Sequence, residues 1–324
     1  MKNSIKYIKA IINKLRKKSH CDDHTLTCFL KNVKTYIPQI TDIARISERN
    51  LNQNSGIEIN LFIEKHEIDL CDEAGLNPKR IDMGENAQAI RFLENQNLIY
   101  INKNFLCKLY NFIHGNECNI EKIYNEYSHK FKIDKNYDFQ KIIDLICFNA
   151  AKMLILHELM HVIRGHLNTK ANNTMQNSDR NSDRLMEIDA DIHALIYVLN
   201  DLTDNEMWDI GLFTSILGVH YLFLFLDKNK SYPSSYYDKN TNYPAPVVRF
   251  FIAFNFALTR DKKSNLEQKN SERDILYESL LIYINIFDLN KIEDLQSYWE
   301  NNEDLKNYPK FLEDLDKCHA SNKL

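Results

Sequence analysis

Three residues inside one apolar run carry the densest chemistry of this 324-residue chain: His157, Glu158 and His161, spelled H-E-x-x-H within AAKMLILHELMHVIRGH. Histidines four apart on an α-helix sit about 40° apart around its axis and one turn along it, so both imidazoles reach a single ion. Neutral imidazoles suit a tetrahedral Zn²⁺ with Zn–N bonds of about 2.0–2.1 Å. Glu158 lies on the same side but chelates less well. It is placed to hydrogen-bond a water at the ion and take its proton, the general-base role of this motif. A core helix whose histidines are satisfied by hydrogen bonds also fits these five residues taken alone. Against that alternative, a glutamate among Leu154, Ile155, Leu156, Val162 and Ile163 is costly to bury without a partner such as an ion or its water.

The ion needs a further protein ligand, and two candidates compete. His166 is nearer. The metzincin pattern H-E-x-x-H-x-x-G-x-x-H requires glycine at position 164 and histidine at 167, where this chain has Arg164 and Leu167. Continued as helix, His166 points about 140° away from His161, so Gly165-His166 reads as the end of the helix. The second candidate lies in RLMEIDADIHALIYVL. Glu187 and Asp191 are four apart and share a face with Ala194 and Val198, beside an apolar stripe of Leu185, Ile188, Ile192, Leu195 and Leu199. Two carboxylates among small residues suit a crowded metal site, with Glu187 on the ion and Asp191 holding a ligand histidine from behind. Asp189 points about 200° from Glu187 and reads as solvent-facing. A solvated acidic face near a helix N-terminus is the plainer alternative.

H-E-x-x-H followed by Gly165-His166 and then by Glu187-x-Asp189-Ala190-Asp191 resembles the gluzincin group of zinc metallopeptidases, including the cytosolic minigluzincins. The resemblance implies Glu187 as third ligand and Asp191 as the carboxylate behind a histidine. The central position of the motif is similar, more specifically, to the prophage Lit-type phage-exclusion peptidases. That implies a folded host protein as substrate, such as a translation factor, cut during phage defence. The likeness is strong over 157–191. It extends weakly to the segment before it, where gluzincins keep a substrate-binding edge strand; here that is Leu98–Ile101. YPAPVVR (Tyr243–Arg249) is similar to the H-P-x-x-x-x-R segment of such peptidases, with Tyr243 where many relatives have histidine. Tyr243, His220 and Arg249 therefore all stand as candidates for stabilising the oxyanion.

These residues must be held by a scaffold. Seven glycines and six prolines are about 4% of the chain against roughly 12% in average usage, which predicts long helices and few tight turns. The expected fold class is α+β and predominantly helical: a zincin-like metallopeptidase domain with a small β-sheet or hairpin before the H-E-x-x-H helix. One domain is expected over 1–324, with a helical N-terminal portion (1–80), a catalytic core (85–260) and a helical C-terminal portion (261–324). Ala89–Phe92 and Leu98–Ile101 read as a hairpin around Asn95-Gln96-Asn97. Helices are expected from about Tyr137 to His166 and from about Arg184 to Leu199, separated by a polar loop. The uncharged IGLFTSILGVHYLFLFL (210–226) barely reaches the minimum length of a span, about 17 residues. Without flanking basic loops it reads as a buried core helix.

At the N-terminus, Ile5, Ile8, Ile12 and Leu15 among lysines predict a basic amphipathic helix rather than a signal peptide. A net charge of −4 offers no drive toward phosphate backbones, so nucleic acid is not an expected partner. Seven cysteines without a C-x-x-C pair fit reduced thiols in the cytoplasm. The expected activity is that of a zinc metalloendopeptidase acting on a protein or peptide through a Glu-activated water, with Zn²⁺ as cofactor and no transmembrane segment. The alternative is a non-catalytic zinc-binding module that regulates or docks a partner.

Overall fold

The computed structural model describes residues 28–33, 35–36, 56–63, 67–70, 79–82, 87–93, 96–131, 133–134, 137–167, 180–200, 208–227 and 249. The basic N-terminal helix, the loop carrying Tyr243 and the C-terminal helices expected from sequence lie outside them. The described part is predominantly helical. The chain divides into two compact units, residues 1–112 and 113–324.

In the first unit, part of the region read as helical is β-structure: β1 (Gly56–Ile63), β2 (Glu67–Leu70) and β3 (Lys79–Asp82). The reason is visible in GIEINLFI, where Ile57, Ile59, Leu61 and Ile63 recur at every second position, the period of a strand and not of a helix. The expected hairpin is present as β4 (Ala87–Leu93) and β5 (Gln96–Asn102), antiparallel from Ala87↔Ile101 to Leu93↔Gln96. Its connection is shorter than expected, because Gln96 and Asn97 belong to the strand. β5 also pairs in parallel with β1, giving the order β1-β5-β4. Leu98–Ile101 thus lies in the middle strand, with its backbone groups engaged on both sides. This corrects the expectation that a substrate strand adds at that place. Ile99 and Ile101 are fully buried. β2 and β3 form a separate antiparallel pair. Helix α1 (Lys103–His114) follows β5 directly and buries Leu106 and Leu109.

The second unit is built from α2 (Glu117–Tyr127), α3 (Phe139–Ile163), α4 (Arg180–Asn200) and α5 (Trp208–Asp227). Asp138 caps α3, its carboxylate accepting from Gln140 N at 3.0 Å. Every side chain of α3 from Asn149 to Ile163 is buried, so this is a central helix packed on all sides, as an all-round apolar sequence requires. The helix ends where the glycine predicts. Arg164 N still bonds Met160 O at 2.8 Å, and Gly165 takes φ 72°, a left-handed turn that favours glycine.

Helix α5 is the buried core helix expected, with every residue from Leu212 to Phe223 buried. Gly218 lets it approach α3 closely, since a Cβ there would stand 2.8 Å from Ile146 O and 2.9 Å from Ala150 N. One turn away, Asn149 Nδ2 donates to Thr214 Oγ1 at 3.0 Å, satisfying two polar side chains inside the interface. Among the described residues no helix is long and apolar enough to cross a membrane, and no disulfide joins Cys28, Cys107, Cys118 or Cys147.

Candidate metal centre

His157 and His161 project from α3 one turn apart, and their Nε2 atoms approach to 3.1 Å. Glu187, from α4, closes the triangle: Oε2 is 3.2 Å from His157 Nε2 and Oε1 is 3.4 Å from His161 Nε2. Donors placed tetrahedrally at zinc-ligand bond lengths stand about 3.3 Å apart. The separations are close to that length, with one Glu187 oxygen nearer each histidine. One ligand atom from each residue lies within 4.8 Å of the others, so the group could hold a metal ion. All three side chains are buried. Two imidazoles and a carboxylate suit Zn²⁺ and neighbouring first-row divalent ions. This is the group the sequence singled out, drawn together across the polar loop between α3 and α4.

Behind each of the two histidines stands an acidic residue of α4, directly for His157 and through His166 for His161. Behind His157, Nδ1 lies 2.8 Å from Asp191 Oδ1, out of line with the ring N–H and so an ion contact more than a straight hydrogen bond. Asp191 is itself clamped by Arg249, whose Nε and Nη2 donate to its two oxygens at 2.5 and 2.9 Å. Arg249 Nη2 also lies 3.5 Å from Glu187 Oε2. In the metal-free site, burial disfavours a charged His157, but Asp191 and Glu187 outweigh it and raise its pKa to about 10. Burial likewise opposes the charge on Glu187, yet His161 and His157 hold its carboxyl well below the usual range. Asp191 is lowered too, Arg249 and His157 overcoming its burial.

Behind His161 the arrangement differs from expectation. Asp189 is not solvent-facing but fully buried. The helical angle that puts it on the far side of α4 from Glu187 is sound, but that far side is covered. The chain turns at Gly165 and lays Arg164 and His166 against it. His161 Nδ1 and His166 Nδ1 are 2.9 Å apart, and His166 Nε2 is 3.0 Å from Asp189 Oδ2. Arg164 donates from Nε to Asp189 Oδ2 at 2.9 Å and from Nη2 to Oδ1 at 3.4 Å. His193 Nδ1 reaches the Asp189 backbone carbonyl at 2.8 Å. Burial pushes the His166 pKa down to about 4 against the pull of Asp189. Burial opposes ionisation of Asp189 as well, but His166 and His193 hold it as a carboxylate.

Glu158 is buried on α3 beside His157. Of the oxyanion candidates, Tyr243 lies outside the described residues. Arg249 is engaged with the carboxylates of Asp191 and Glu187. His220 is buried in α5, and that burial holds its pKa well below 6.5. The part played by Arg249 was unassigned in the sequence because it joins α4 from 58 residues away. His166 lies behind His161, and that place depends on a left-handed turn at Gly165 that no periodicity describes. No protein-family model, curated protein or solved structure matches this chain.

Proposed function

We propose that the protein is a zinc-dependent metalloendopeptidase of zincin-like, gluzincin type, in which His157, His161 and Glu187 hold Zn²⁺. The observation that carries this reading is the buried cluster of two imidazoles and a carboxylate close enough to share one ion, with a glutamate immediately after its first histidine. A purely structural site gains nothing from an acid at position 158. When bound, the ion supplies a Lewis acid that polarises the scissile carbonyl and lowers the pKa of water toward about 7. Glu158 takes the proton from the attacking water as the C–O bond forms, and returns it to the leaving amine as the C–N bond breaks. Asp191, held by Arg249, keeps His157 oriented. The resemblance to phage-exclusion peptidases extends the proposal to a folded host protein as substrate, cleaved in the cytoplasm.

The test is Glu158→Gln, measured for zinc content and for cleavage of a casein-type substrate. Removing the base is expected to lower turnover about 10²–10⁴-fold with zinc content unchanged. Comparing new protein N-termini in cells expressing wild type and Glu158→Gln identifies the substrate. If zinc-loaded wild type produces no cleavage in either assay, the non-catalytic zinc-binding module takes the place of the peptidase. Glu187→Ala is expected to lose the ion; full zinc affinity in that variant removes Glu187 from the ligand set.

A further inference from the structure

Asp189 and His166 have no part in the ligand triangle or in the proton transfer proposed for Glu158, yet both are fully buried and joined in one chain to a ligand. Elementary valence fixes what that chain does. To bind an ion through Nε2, His161 must leave that nitrogen bare, so its ring proton sits on Nδ1. The neighbour at 2.9 Å is His166 Nδ1, which must then accept and cannot itself bear hydrogen. His166 therefore carries its proton on Nε2, and the acceptor 3.0 Å away is Asp189 Oδ2. A carboxylate accepts and never donates, so the order of donors cannot reverse while Asp189 is ionised. The opposite arrangement, with His166 donating from Nδ1, would push the His161 proton onto Nε2 and block the ion.

We infer that Asp189 is a positioning residue of the metal centre, acting through His166 to hold His161 in the tautomer whose Nε2 faces Glu187 and His157. The inference rests on the metal-site reading above and adds a second, longer support beside the one from Asp191. Arg164 completes it at the C-terminal end of α3 by neutralising the same carboxylate. The left-handed turn at Gly165 lets His166 fold back under His161. The two ligand histidines are thus oriented from α4 by different means: His157 by a carboxylate directly, and His161 by a carboxylate through a second imidazole.

The experiment uses the full chain and zinc alone. In wild type, histidine ¹⁵N–¹H correlation spectra of the zinc-loaded protein are expected to show the His161 proton on Nδ1 and the His166 proton on Nε2. A His166 proton on Nδ1 overturns the inference without any substitution. Zinc affinity, measured by chelator competition, is expected to fall about 10–100-fold in Asp189→Asn and in His166→Leu. It should stay within about threefold of wild type in His166→Gln, whose amide can accept from His161 and donate to Asp189. That rescue separates positioning from mere packing, since leucine and glutamine fill similar space. Unchanged zinc affinity in both Asp189→Asn and His166→Leu overturns the inference and leaves the ligand triangle standing. A wild-type chain that takes up no zinc overturns both readings together.

Discussion

At the scale of single residues, His157 is the group whose protonation a bound cation would have to reverse. Burial alone would leave His157 neutral, but the carboxylates of Asp191 and Glu187 raise its pKa to about 10. Below that pH the free protein carries imidazolium at the position where an ion needs a lone pair. The sign follows. Because the folded pKa is raised, the charged pair stabilises the metal-free fold fully below the unfolded pKa of about 6.5. It fades as pH rises through about 10. Binding an ion at neutral pH therefore releases one proton from His157, while Glu187 is already ionised and releases none. Apparent zinc affinity is expected to rise about tenfold per pH unit between pH 6 and 8. Calorimetry in two buffers of different ionisation enthalpy should read net proton release on zinc binding, His157 contributing one proton per ion. An affinity independent of pH across that range would show that His157 is not the protonated ligand.

At the scale of elements, the site depends on α3 being pressed between α4 and α5. Gly218 is a point of close approach between α3 and α5, and the two nearest atoms a Cβ would meet there, Ile146 O and Ala150 N, are backbone atoms of α3, which have no rotamer to escape into. Gly218→Ala is expected to destabilise the second unit by about 1–3 kcal/mol, despite alanine's better helix propensity. Chemical denaturation reads this directly; a variant as stable as wild type would mean that the two helices separate without cost. What was legible in the sequence was the part carried by periodicity and local spacing. The H-E-x-x-H helix, the Glu187–Asp191 face, the buried helix 210–226 and the glycine stop all follow from the 3.6-residue repeat and a few special residues. The strand Gly56–Ile63 was equally available from its period of two and was missed by reading composition over alternation. Asp189 was lost for a different reason. Its angle on α4 was correct, but whether a helix face meets water or another segment is settled by tertiary packing, which a single helix does not encode.

At the scale of the whole molecule, α4 brings Glu187, Asp189 and Asp191 into the interior within two helical turns. Buried carboxylates are tolerated only when paired, and breaking one such pairing is far costlier than never burying it. Arg164, Arg249 and the histidines supply the pairing for Asp189 and Asp191. Glu187 is satisfied by the two ligand histidines and a longer contact to Arg249, so it is the carboxylate whose surroundings change most when a cation enters. Ion binding to the native site and not to the unfolded chain stabilises the fold by mass action, about 2.7 kcal/mol at free zinc a hundredfold above the dissociation constant. Chelation is accordingly expected to lower the melting temperature of the full chain by several degrees, and the loss should reverse on adding zinc back. Hydrogen exchange should place the largest loss of protection in the last two turns of α3 and in α4 around Glu187. His157→Ala should abolish the zinc dependence of melting and, because it removes the cation paired with buried Asp191 and Glu187, should also lower the melting temperature in chelator. If wild type melts at the same temperature in chelator and in zinc, the buried donors hold one another and not an ion.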